Sequence, residues 1–292
     1  MCKRIKVFLI LTLVIAMGLS AAACGVNETE GSGNGTEDLS LAKIQEKGTL
    51  VLGCDDAFPP MGFRDQNGEI VGFDIDLAKA VAKKLDVELE VKAINWDTKE
   101  MELNNGNIDV IWNGFTITAE RNKQVEYTKP YLNNAILLAV NADSDIQSKA
   151  DLEGGIVGYQ VQSSADDAIK ADKDFYTSLG EAREYDTYQD ALLDLDVSDR
   201  LDAVAVDKIL IGYIMAQEPG KYRILEETLG DEYYGIGCPK GAVALREAVD
   251  NALDELMEDG TIDEISNQWF GSNIVIRDVQ KLTQEDLEKA AE

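Results

Sequence analysis

The apolar positions of this chain alternate between two periods. "TLVLG", Thr49 to Gly53, is a nearly continuous apolar run, as in a strand covered on both faces. "GEIVGFDIDLAKAVAKKL" gives a short strand and then helical spacing: Leu77, Ala78, Val81 and Leu85 share a stripe, with Asp74 expected as the N-cap. In "VELEVKAI", Val87, Leu89 and Val91 alternate with Glu88, Glu90 and Lys92, the period of a half-exposed strand. A short helix over Glu100 to Asn104 leads into a second buried run, Asp109 to Trp112. Strand, helix, strand, helix in this order predicts an α/β fold with a mainly parallel sheet.

After "EYTKPYLNNAILLAV" the pattern restarts. Strands are expected at Ala135 to Val140, in "GGIVGYQ" and in "RLDAVAVD", with helices between them. A strand in "YYGIG" precedes a helix that carries Leu245, Val249, Leu253, Leu256 and Met257 on one stripe, with Gly260 past its end. "TIDEISNQWFG" adds a last short helix, and residues 276–292 read as a charged C-terminal tail, frayed or weakly helical.

The first residues follow a different logic. Lys3, Arg4 and Lys6 precede an apolar stretch, Val7 to Leu19, and "SAAAC" ends it. Residues 1–23 are therefore expected to be a lipoprotein signal peptide. Cys24 is the expected lipidation site, although Ala21 stands where such signals usually carry leucine. Residues 24–40, rich in Gly, Ser, Asn and Glu, read as a flexible tether. These features place the protein on the extracytoplasmic face of the cell membrane, held by its lipid; no other segment is long and apolar enough to span a bilayer. About 250 residues remain, enough for two domains with cores of their own.

Charge and composition narrow the chemistry. The net charge is −28, and loss of the three basic leader residues would take it to −31. Such a balance excludes nucleic acid as a partner, since phosphate binding needs clustered Lys and Arg. Histidine is absent, which removes the commonest general base and metal ligand. Cys54 and Cys238 remain beyond the leader and Cys24, too few for a zinc site; a disulfide and two buried thiols both fit the sequence. No metal and no cofactor are expected.

In open α/β sheets ligands lie beyond the carboxyl ends of the strands. Three such ends carry polar clusters: Asp55, Asp56 and Phe58; Asn113, Gly114, Thr116 and Arg121; Gln160, Gln162, Ser163 and Ser164. A fourth strand ends on Asp207. Thr118 is an expected N-cap, and Ser164 with Asp167 an expected capping box. Helix N-termini favour carboxylates and phosphates, an arginine can grip a carboxylate by two parallel bonds, and an aspartate can take an ammonium. Together these residues read as a receptor for a zwitterion. Plainer roles stay open: Arg121 as a solvated charge, Asp207 as a helix cap, Trp112 as core, Trp96 and Phe58 as pocket walls or packing residues.

"FPPMGFRDQNGEIVGFDIDLAKAVAKKL", "WNGFTITAER", "VEYTKPY", "YYGIG" and "DGTIDEISNQWFG" occur in an order and spacing that resemble the polar amino-acid-binding proteins of ABC importers, from about residue 41 to 272. The resemblance implies a two-lobed periplasmic-binding-protein-like fold of type II with two hinge strands. Lobe 1 would comprise residues 41–133 plus 232–275 and lobe 2 residues 134–231, with crossings near 133–134 and 229–232. It further implies that Arg121, helped by Ser163 and Ser164, grips the ligand's α-carboxylate. Asp207, with the Asn113 or Gly114 carbonyl and the Thr116 hydroxyl, would take the α-ammonium. Phe58 and Trp96 would stack on the ligand side chain, with Asp55 and Gln160 near its tip. Gln162 departs from the family's usual glycine and would intrude on the carboxylate or reach the side chain; Asn113 replaces a small residue and would also touch the ligand.

The expected partners are a free amino acid, the transmembrane permease subunits and, through the lipid, the membrane; the expected state is a monomer without enzymatic activity. A side-chain pocket of aspartate and amides, with no added lysine or arginine, disfavours acidic ligands, and a polar neutral ligand (glutamine-like or cystine-like) ranks ahead of a basic one. A ligand-sensing module and an amino-acid dehydratase are the competing functions on this scaffold. Turnover of a bound amino acid, or a signalling partner, would separate them from a transport receptor.

Overall fold

The computed structural model describes residues 38–197 and 200–290. The leader, Cys24 and most of the tether lie outside the described residues.

Two five-stranded sheets organise the chain, one in each lobe. In the first, the spatial order is Glu88–Ala93, Thr49–Cys54, Val110–Ile111, Gly237–Pro239 and Val125–Tyr127. Its first three strands are parallel, and Gly237–Pro239 runs antiparallel to both neighbours. The second sheet runs Glu181–Tyr185, Ile156–Gln160, Ala203–Asp207, Leu132–Asn141 and Tyr222–Tyr234, parallel over the first three and antiparallel thereafter. Helices such as Phe73–Lys84 and Val243–Glu258 bury Leu77, Val81, Leu245 and Leu253 against the first lobe's core.

The chain leaves the first lobe on Leu132–Asn141 and returns on Tyr222–Tyr234, and these two strands pair antiparallel with Asn134 opposite Glu232. The return strand is much longer than the expected "YYGIG", because its middle, Glu226 to Thr228, is exposed and its polar pattern reads as loop. Both lobes therefore meet at two adjacent backbones, the arrangement of a hinge.

Two local expectations change. Gly72, not Asp74, stands at the N-cap of the helix Phe73–Lys84: its φ is +149°, and a Cβ there would lie 2.2 Å from the Met61 carbonyl oxygen. Asp74 is instead inside the helix and fully buried, accepting from Gly114 N (2.8 Å) and the Tyr131 hydroxyl (2.9 Å). Burial raises its carboxyl to about 7. The cap of Ser164–Ala171 is Ser163, whose hydroxyl accepts from Asp166 N at 3.2 Å.

The segment beyond residue 276 does not trail away. The Arg277 side chain, 6% exposed, is held by Asp254 (2.8 Å) and Asp250 (3.0 Å). The helix Gln284–Ala290 then sets Leu287 into a cluster with Phe115 and Ile117. Cys54 and Cys238 are both buried and free. Among the described residues no helix is long and apolar enough to cross a membrane.

Candidate functional site

At the end of Val110–Ile111 the chain turns through Asn113 and Gly114, whose φ is +55° and where a Cβ would meet the Phe58 ring at 2.8 Å. Asn113 spends its carbonyl oxygen on Asp55 N (3.2 Å) within lobe 1. Thr118 caps the helix Ala119–Gln124 by accepting from Arg121 N, as its position predicts. Arg121 is 6% exposed, so it is not a solvated charge. Its guanidinium lies over the Phe115 ring at 5.0 Å and donates to Thr116 O (3.2 Å) and to Gln162 O (3.0 Å) in lobe 2, with Glu100 3.9 Å away.

A second cation joins it. Lys99 is 1% exposed, and its Nζ donates to Trp96 O (3.1 Å) and to the same Gln162 O (2.9 Å). Burial, with Arg121 beside it, depresses the Lys99 ammonium to about 8. Gln162 has a left-handed φ of +55° and an exposed side chain, so its backbone carbonyl, not its amide, faces the cleft. Ser163 and Ser164 follow at the helix N-terminus, both buried.

The opposite corner is acidic. Asp207 ends its strand at the N-cap position of Lys208–Gln217, yet its side chain makes no capping bond. Its Oδ1 accepts from Asn134 Nδ2 (2.6 Å) and from the Tyr234 hydroxyl (2.5 Å). The same Asn134 nitrogen donates to Glu232 Oε2 (2.9 Å), which also accepts from the Thr116 hydroxyl (2.9 Å); that hydroxyl lies 3.2 Å from Ser164 Oγ. Burial raises both carboxyls, Glu232 to about 7 with Asp207 adding to the rise. The Tyr188 hydroxyl is buried beside Asp207 without a well-formed hydrogen bond among the described residues.

Between the lobes, Gln160 Nε2 donates to Asp55 Oδ2 (2.6 Å) and Asp186 O (3.0 Å). Beyond Asp55 lies a cavity of about 150 Å³ lined in part by Asp56, Trp96, Asp97 and Asp186. Phe58 packs against the Tyr188 ring at 5.9 Å, and Trp96 stands edge-on to Phe115 at 5.9 Å. Among the described residues no group of His, Cys, Asp and Glu is placed to hold a metal ion.

Arg121, Thr116, Ser163, Ser164 and Asp207 thus converge on one cleft, with Asp55, Gln160 and Trp96 at its far side. Trp112 is fully buried core, and Gln162 takes part through its backbone. Lys99, Asn134, Tyr188, Glu232 and Tyr234 are not among the residues the sequence singles out; Lys99 stands beside Arg121 and does not line the chamber past Asp55. Only the crossings expected near 133–134 and 229–232 hinted at Asn134 and Glu232. Such a cleft can hold an anionic group at one end and a cationic group at the other.

Residues 50–272 match the family of bacterial extracellular solute-binding proteins, family 3. The L-cystine-binding protein TcyJ of Escherichia coli (strain K12) is 29% identical over 80% of this chain and 87% of its own. ABC transporter arginine-binding protein 1 of the same strain is 32% identical over 76% of this chain and 90% of its own. A crystal structure of an ABC uptake transporter substrate-binding protein from Streptococcus pneumoniae with bound histidine superimposes with a TM-score of 0.79 at 33% identity, covering 82% of this chain and 99% of that one.

Proposed function

Because the chain belongs to the bacterial extracellular solute-binding proteins of family 3, we propose that it captures a polar L-amino acid between its lobes and delivers it to the permease of an ABC importer. One observation carries this reading. Arg121 and Asp207 are buried opposite charges, close enough to influence one another, yet they form no ion pair together. Glu100, 3.9 Å from Arg121, meets that charge only loosely, and among the described residues no cation pairs with Asp207, so a zwitterion placed between them adds a bonded partner at each end. Arg121, with the Ser163 end of its helix, takes the carboxylate; Asp207 takes the ammonium; Phe58 and Trp96 flank the side chain, which points toward Asp55 and Gln160.

The chamber past Asp55 shifts the expected ligand. Asp55, Asp56, Asp97 and Asp186 surround it, so a side chain ending in a cation or in several donors gains most there. This moves basic ligands ahead of neutral ones. We read the protein as a binding receptor working as a monomer outside the cytoplasm, with Cys24 lipidated and residues 24–40 tethering it to the membrane.

Calorimetry of refolded, ligand-stripped protein against the common amino acids and cystine tests the reading. A single polar or basic L-amino acid should bind one-to-one with micromolar or tighter affinity, and aspartate and glutamate should not. Failure of every amino acid to bind would overturn it.

A further inference from the structure

The most unusual grouping in the cleft is a pair of carboxylates sharing one amide. Asn134 Nδ2 donates to both Asp207 Oδ1 (2.6 Å) and Glu232 Oε2 (2.9 Å). Its orientation is fixed, because Asn134 Oδ1 accepts from Ile209 N (3.3 Å). The pairing follows from the hinge, where Asn134 and Glu232 are direct cross-strand partners. Among the described residues neither carboxylate has an ion pair, and their donors are neutral: Asn134, Tyr234 and Thr116. Two carboxylates held this closely resist full ionisation together and create a seat for one positive charge.

Resting on the amino-acid reading above, we propose that Glu232 is the second carboxylate of the ammonium seat, and that the ligand's ammonium exchanges there with a proton. Glu232 is well placed for this, since it is half-buried and borders a groove of about 270 Å³ with Thr116, Ser164 and Asp167. The proton thus has a route to solvent while Asp207 stays enclosed.

The other ionisable groups facing the pair are few. Arg121, Tyr127, Tyr188 and Tyr234 come from four separate elements, Asp167 comes from the helix Ser164–Ala171, and the exposed Asp231, next to Glu232 in its own strand, lines the same groove. Burial keeps the three tyrosines neutral. Asp167, itself raised by burial, is the competing titrator. The sign is fixed: the ammonium favours the ionised pair, so binding expels a proton and affinity falls as pH falls through about 7.

The test is calorimetry of the full chain with L-arginine, L-lysine, L-glutamine and L-cystine from about pH 5.5 to pH 8, in buffers of different ionisation enthalpy. Wild type should release a fraction of a proton on binding near pH 7 and lose affinity by up to about tenfold per pH unit below it. Glu232→Gln, which keeps the shape, should flatten that dependence, whereas Asp167→Asn should preserve it. Binding without proton release in wild type, or an unchanged slope in Glu232→Gln, would overturn the inference while leaving the receptor reading intact. If none of the four ligands binds at any pH, the series is extended to the other common amino acids; if none of those binds either, the receptor reading falls and takes this inference with it. The buffer comparison on wild type stands alone should the variant fail to fold.

Discussion

At the Arg121 end of the cleft two cations converge on one carbonyl, whereas at the Asp207 end two carboxylates converge on one amide. The ends differ in what neutralises them. Glu100 lies 3.4 Å from Lys99 and 3.9 Å from Arg121, and the Phe115 and Trp96 rings add cation–π contacts. Among the described residues the acidic end has only neutral donors. A protein that balances one end itself and leaves the other to its ligand gains most of its selectivity where the charge is missing.

The largest effects should come from removing the clamp. Arg121→Ala and Asp207→Ala should each weaken binding by about 2–5 kcal/mol, roughly 30-fold or more, because the ligand's opposite charge stays desolvated and unpaired. Titration of folded variants decides it, and near-wild-type affinity in either would place the clamp elsewhere. Arg121→Lys should still lose about tenfold, since a compact ammonium cannot reproduce the parallel two-pronged match of a planar guanidinium to the ligand carboxylate.

Asp74 provides a comparison for the acidic end: a buried carboxyl with neutral donors but no place in the cleft. Its folded value of about 7 exceeds the ordinary 3.8, so its contribution to stability is complete below about pH 4 and is lost as pH rises through 7. Asp74→Asn should remove that part of the slope, up to about 1.4 kcal/mol per pH unit, in urea unfolding series at several pH values. An identical slope in both proteins would mean that Asp74 stays ionised.

The smallest effect on affinity should come from Lys99→Met, a loss of a few-fold as one cross-lobe bond disappears. Stability should move the other way. An ammonium held at about 8, below its ordinary 10.5, lowers stability below pH 8, and that cost fades as pH rises toward 10.5. The methionine variant should therefore unfold at equal or higher temperature at pH 7, with the gain shrinking above pH 8.

What could be read from the sequence was local. Apolar spacing located the first strand and the stripe of Leu77, Ala78 and Val81, and strand ends running into hydroxyls and charges pointed to Thr116, Arg121 and Asp207. The missing parts depend on distance along the chain. Asn134 and Glu232 lie 98 residues apart and meet only through strand register. Lys99 opens a charged helix that looks exposed; its burial comes from Gln162 of the other lobe, 63 residues on. Leu287 is one apolar residue in a charged run, and nothing near it in sequence discloses the Phe115 cluster that receives it.

The two buried thiols also make the folded protein well suited to optical reporting. Cys54 and Cys238 are both 0% exposed, and burial pushes the Cys54 thiol to about 12, so neither offers an accessible thiolate to a maleimide dye. A fragment beginning at Asp38 has no other cysteine. Dyes placed on one engineered surface cysteine per lobe, for example at Lys79 and Lys173, would then track lobe motion by energy transfer without any native cysteine being replaced.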